Sequence, residues 1–178
     1  TEATVNGTTE GEGTKGTTLE GATANIGTLA VASDTKANAL VLEKSTATVG
    51  SFNGKNAAKG SISVGEGSTL TISATQHTEE DKAIFKNNDA GDAITGKGTL
   101  AVNAGALGLK QKANDYEATN HFAENSVGVL KINGAASAIG ADKINKDNLG
   151  KLVTALSVEN QNKFDGKLQL VGVTADMS

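Results

Sequence analysis

Residues 22–29 read ATANIGTL, residues 45–52 read STATVGSF and residues 68–75 read STLTISAT. The three stretches start 23 residues apart, twice in succession. In that frame Thr23, Thr46 and Thr69 share one position, and Asn25, Thr48 and Thr71 share the next but one. Between them stand Ala24, Ala47 and Leu70, then Ile26, Val49 and Ile72. Successive side chains of a strand point to opposite sides, so apolar residues at every second position mark a strand with one buried face. Such a strand recurring at a fixed interval predicts units that bury a continuous core only by stacking.

A second strand precedes each of these. The unit is a small or polar residue, aliphatics two and four positions on, a Gly/Ser-rich turn, and another aliphatic eleven or twelve positions on. Starts at Lys15, Asn38, Gly60, Gly98, Gly128 and Gly166 fit it, Lys15 least well. Their first strands carry Thr17/Leu19, Leu40/Leu42, Ile62/Val64, Leu100/Val102, Leu130/Ile132 and Leu168/Leu170. Their second strands reach Ile26, Val49, Ile72, Leu109, Ile139 and Met177. The pentapeptide GTLAV, at 27–31 and again at 98–102, is a decoy in this frame. The first copy follows a second strand, and the later copy is itself a first strand.

The expected fold is all-β: a parallel β-helix, or β-solenoid, with turns of about 22–23 residues and short helical insertions on one side. The length suits one domain over residues 1–178, with 15–109 the most regular part. Beginning at Thr1, without an initiator Met or a signal peptide, the chain reads as a mature product or a piece of something longer. Aromatics are only 3%, so the core must be aliphatic. Leu42, Val49, Val64, Ile72, Val102 and Leu109 are expected to share it. Proline is absent, which suits uninterrupted ladders. A β-sandwich would explain the alternation but not the constant register.

The intervals between starts are 23, 22, 38, 30 and 38 residues. The added length falls after second strands, at 73–97, 110–127 and 140–165, and so emerges from one side of the stack. In the last insertion DNLGKLVTAL predicts a helix capped by Asp147, with Leu149, Leu152, Val153 and Leu156 on one face. In the first, TEEDKAIF predicts another, capped by Thr78. These segments hold most of the large rings, and Phe85, Tyr116, His121 and Phe122 form the expected recognition surface. The competing reading folds the rings inward over the edge of the stack, because exposed aromatics are costly.

Composition and motif excludes several chemistries. All sixteen basic residues are lysine and the net charge is −4, a poor match to nucleic acid, which arginine forks and stacking aromatics recognise. Cysteine is absent, removing disulfides and thiolate metal sites. No apolar run has the length of a membrane span. Asp89 and Asp92 in NNDAGDAITG fail the EF-hand pattern, and His77 beside Glu79 and Glu80 lacks a second imidazole at ligand spacing. No metal and no cofactor are expected. Acids are spread thinly without a recurring pair, so the chain is read as non-enzymatic. The threonine rows suggest a flat, ordered array like those of ice-binding solenoids. Threonine is simply a good outward strand residue, and the rows stop after three turns.

Turns such as NALVLEKSTATVGSFNG and GSISVGEGSTLTIS, rich in Gly, Thr, Asn and Ala, resemble repetitive bacterial surface proteins. The likeness is to β-helical autotransporter passengers and to the strand-rich parts of S-layer and large adhesin proteins, and it covers residues 15–109 best. The resemblance implies an exported, extracellular segment at the cell surface with a structural or adhesive role. Its partners would be a host or neighbouring-cell ligand, or adjacent domains and copies of the same protein. The alternative is a carbohydrate-binding or carbohydrate-cleaving solenoid.

Overall fold

The computed structural model describes residues 17–30, 40–53, 62–75, 94–122, 124, 126–157 and 163–176. The described chain opens with β1 (Thr17–Glu20) and β2 (Thr23–Ala30). It repeats the pair as β3 (Leu40–Glu43) and β4 (Thr46–Asn53), then as β5 (Ile62–Val64) and β6 (Thr69–Ile72). There follow β7 (Ile94–Asn103), β8 (Lys110–Lys112), β9 (Asp115–Glu117), β10 (Val127–Asn133), α1 (Ala135–Ile139), β11 (Lys143–Ile144), α2 (Lys146–Leu156), β12 (Lys167–Leu170) and β13 (Thr174–Ala175). Strands make up 53% of the described residues, and nine of them form one large parallel sheet curled into a half-barrel.

The curl comes from two rows that meet in β7. The first row is β1, β3, β5 and the start of β7, where Ile94 and Thr95 pair with Ile62 and Ser63. The second is β2, β4, β6, the end of β7, β10 and β12. Between the two halves of β7 lies Gly96 at φ 126, a conformation that L side chains rarely adopt. A Cβ there would also run into the Val64 backbone, so the bend needs glycine on both counts.

The register is the one read from the sequence in the regular half. Thr23 pairs with Thr46 and Thr46 with Thr69; Ile26 pairs with Val49 and Val49 with Ile72. Leu42, Val49, Val64, Ile72, Val102 and Leu109 are all buried in one cluster. The core is aliphatic because consecutive passes bring one inward column over the next, Ala47 beneath Leu70 beneath Leu100 beneath Leu130.

In the later half the sequence frame is out by one strand. Leu100 and Val102 were expected to continue the first strands, yet they pair with Leu70 and Ile72, which are second strands. The same holds for Leu130/Ile132 and Leu168/Leu170. The first-row residues of that pass are Ile94 and Thr95, inside the expected insertion 73–97. Alternation alone cannot tell the rows apart, because both bury one face at the same period. Leu109 follows a turn and Ile139 ends α1, so neither marks a stacked second strand, and Met177 lies outside the described residues. The two GTLAV copies are indeed inequivalent, although residues 27–30 of the first and 98–102 of the second both lie in second-row strands: Thr99 stands at the level of Thr23, whereas Thr28 stands at that of Ser51.

Corner chemistry explains the short connections. The Ser45 hydroxyl accepts the Ala22 N–H at 3.0 Å and reaches the Leu19 and Glu43 carbonyls at 2.9 Å. One pass on, the Ser68 hydroxyl accepts the Ser45 N–H and donates to the Leu42 carbonyl, both at 3.1 Å. These buried hydroxyls satisfy backbone groups that leave the ladders at the corner. The residue before each corner position takes a left-handed conformation: Gly21, Lys44 and Gly67, at φ 57, 48 and 77.

Candidate functional site

Successive second-row strands are separated by 23, 23, 30, 30 and 38 residues. Between β7 and β10, and again between β10 and β12, the chain leaves the sheet from the same end of the row. The excursions thus begin at 104 and 134, earlier than the expected 110 and 140, because the stacked strands end at Asn103 and Asn133. Their contents pack together and form the candidate site.

The first excursion turns through residues 104–108 into the antiparallel hairpin β8–β9. Asn120, buried below it, donates from Nδ2 to the Ala106 carbonyl at 3.0 Å. The second runs through α1 and β11 into α2. Helix α2 is capped by Asn145, whose side chain accepts the Asn148 N–H at 2.9 Å, and Asp147 sits one place inside the first turn instead. An N-cap must lie outside helical φ/ψ while its side chain reaches N3, and Asn145 at φ −103, ψ 179 does so. Leu152 and Leu156 are buried and Leu149 half-buried, as the helical spacing requires.

Phe122 was expected at the recognition surface and lies instead in the core, 2% exposed. Its N–H donates to the Leu156 carbonyl at 2.7 Å, and its ring meets that of Phe164 at 6.0 Å between centroids and 60° between planes. A phenyl ring with no polar handle gains more by joining Leu152 and Leu156 than by facing water. Ser157 closes the same corner: its hydroxyl donates to Val153 O and accepts the Phe164 N–H. Tyr116, in β9, is half-buried and packs on the main core, and His121 is half-buried beside Phe122. Phe85, His77, Thr78, Glu79, Glu80, Asp89 and Asp92 lie outside the described residues.

What this side offers to solvent is the polar hairpin. Lys110 and Lys112 both bind Glu117, at 2.6 and 3.0 Å. These two hydrogen bonds, Lys110's first, hold the Glu117 carboxyl below the usual glutamate range. At the tip Ala113 has φ 50, and Lys151 of α2 donates to the Asn114 carbonyl at 2.7 Å, tying helix to hairpin. Among the described residues no three His, Cys, Asp or Glu side chains converge, and no helix is long and apolar enough to cross a membrane.

A second surface is the outer face of the second row. The sequence frame ended the threonine row at Thr69, but Thr99 pairs with it and extends the row to Thr23, Thr46, Thr69 and Thr99. The signal was present in GTLAV and was lost through the one-strand error. Val129 and Lys167 then end the polar row. The serine corner was likewise missed, although Ser45 and Ser68 lead the quoted stretches at the repeat spacing.

No protein-family model, curated protein or solved structure matches this chain.

Proposed function

We propose that the chain is a β-solenoid segment of an exported cell-surface protein, with a structural and adhesive role and no catalysis. The regular passes serve as a rigid spacer, and the excursions after the second row present the contact surface. The observation that carries this reading is the division of labour in the register: apart from one bulge between β7 and β10 the second-row strands stay paired in step, while the long added segments leave one end of that row. Loops placed there can vary without disturbing the stacked strands, which is where binding residues collect on rigid scaffolds. The contact surface comprises the β8–β9 hairpin with the half-exposed Tyr116 and His121. Phe122 has no part in it. The partner is a ligand on a host or neighbouring cell, or an adjacent copy or domain of the same protein. The likeness of the regular turns to autotransporter passengers and S-layer or adhesin proteins supports export to the surface.

Antibodies raised against the folded chain, applied to intact and to permeabilised source cells, test this. Labelling of intact cells, removed by external protease, is the expected result. Labelling that appears only after permeabilisation overturns the reading.

A further inference from the structure

Gly27 lies inside β2 without a reason supplied by the described residues. Its φ is outside the left-handed range, and a Cβ built on it meets nothing within 4 Å among the described residues. Glycine inside a strand weakens it and commonly marks a place where another backbone passes closely. Gly50, level with Gly27 one pass on, has such a reason: its Cβ would stand 2.6 Å from the Gly27 carbonyl oxygen. Gly98, Gly128 and Gly166 would strike the carbonyls of Gly65, Lys97 and Val127 in the same way. Each records a backbone on the side of the preceding pass. Gly27 belongs to the first strand of its row, where the described residues provide no such backbone.

We propose that β2 receives β12 of a second copy of this chain, so that copies stack head to tail and continue one parallel ladder. The proposal rests on the stacked-coil reading above and names the partner. The far end of the row has the matching features. Strand β12 pairs with β10 alone among the described strands. Leu168 and Leu170 are only half-buried, whereas Leu130 and Ile132, which precede them in the same columns, are fully buried. Val171, next in the chain, is the exposed large hydrophobic among the described residues, at 40%.

The hydrogen-bonding phase also matches. Thr46 and Thr69 donate to the carbonyls of Ala22 and Ser45, and Val171 donates to Ile132. Outward-facing positions therefore bond to the preceding pass and core-facing positions to the next. It follows that β2 turns the backbone groups of Thr23 and Asn25 away from β4, and β12 turns those of Leu168 and Leu170 away from β10. The two edges are complementary. Continuing the register sets Thr23 and Asn25 beside Lys167 and Gln169, with no like charges opposed, and Ala24 and Ile26 over Leu168 and Leu170. Gly27 comes level with Val171. A contact between different ends of the same molecule does not close, so it grows as an open filament.

Sedimentation velocity over a concentration series, with the complete chain, reads the association directly. Dimers and longer species are expected to rise with concentration. Gly27→Val should leave the circular-dichroism spectrum and Tm unchanged yet weaken association about tenfold or more, because its side chain occupies the docking path. The chain has no cysteine, so Asn25→Cys with Gln169→Cys should give a ladder of disulfide-linked multimers on oxidation, and neither single variant should. A wild-type chain that stays monomeric, a Gly27→Val chain that assembles as wild type, or assembly without the 25–169 cross-link overturns the proposal. Gly50→Val separates the two levels. If it lowers Tm while the wild type stays monomeric, only the head-to-tail contact fails; if it leaves Tm unchanged, the stacked-coil reading fails as well.

Discussion

The passes within residues 17–75 and those within 94–176 solve one problem in two ways. Each must bring the chain back to the start of the next second-row strand without leaving buried backbone groups unpaired. The early passes turn tight corners, held by Ser45 and Ser68 inside the stack, and their core is a column of aliphatic side chains. In the later half the first row stops at β7, and its place is taken by excursions that carry a helix, a hairpin and a paired Phe122 and Phe164. The difference teaches where a repeat is free to drift. Inside the ladder a one-residue slip would turn every inward side chain outward, so the register is held. Between the strands length is cheap, since doubling a loop costs only about 0.6 kcal/mol of closure entropy.

The largest expected effect tests the early core. Val64→Asp puts an unpaired carboxylate at a fully buried site, and a loss of roughly 4 kcal/mol or more should unfold the regular half at ordinary temperatures. Urea unfolding followed by circular dichroism measures it; a loss near zero would break the single-core picture. In the later half Phe122→Ala should cost about 3–5 kcal/mol, confirming by its size that the ring is packing and not display. Near-wild-type stability for Phe122→Ala would return that ring to the surface account.

Smaller effects sharpen the contrast between corners and excursions. Ser68→Ala leaves the Ser45 N–H and the Leu42 carbonyl short of a partner and should cost about 1–3 kcal/mol. Lys44→Gly relieves a left-handed lysine at a corner where its counterparts are glycine, and should raise stability by about 0.5–1 kcal/mol. In α2, Gly150→Ala has open space for its methyl group and should gain about as much through helix propensity. Thermal melts of both variants check the sign.

The smallest effect belongs to the hairpin. Glu117 has a lowered folded-state pKa, so its contribution is present above the ordinary glutamate value of 4.5 and is lost as the pH falls through the depressed folded value. Because the carboxylate is solvent-exposed, Glu117→Gln should shift Tm only slightly at neutral pH. The shift should shrink further in high salt and vanish in acid. A shift that is unchanged by salt would mean that the hairpin's ion pairs are sequestered in the folded protein.

The regular half was legible because its evidence is local and repeated. Thr23/Thr46/Thr69 and Ile26/Val49/Ile72 fix both the facing and the step, and the ladder keeps them in register. The later half was misread by one strand because Leu100/Val102 carry the same alternation as Ile62/Val64 and as Leu70/Ile72. Two residues, Ile94 and Thr95, are too short a run to announce a first-row strand by pattern. The site suffered a related ambiguity: the cost of exposed rings favours packing for an aromatic in an insertion, but only its neighbours decide between packing and display.

What the sequence determined by itself is therefore the inward and outward facing of the second-row strands and of the early first-row strands, the constant step of the early passes and the composition of the core. These follow from period-two chemistry, which is a property of adjacent residues. Tertiary structure alone decided which row Leu100, Leu130 and Leu168 join, and that Phe122 turns inward toward Phe164. Each depends on which distant backbone or side chain arrives alongside, and the free energy of that meeting belongs to the pair and not to either segment.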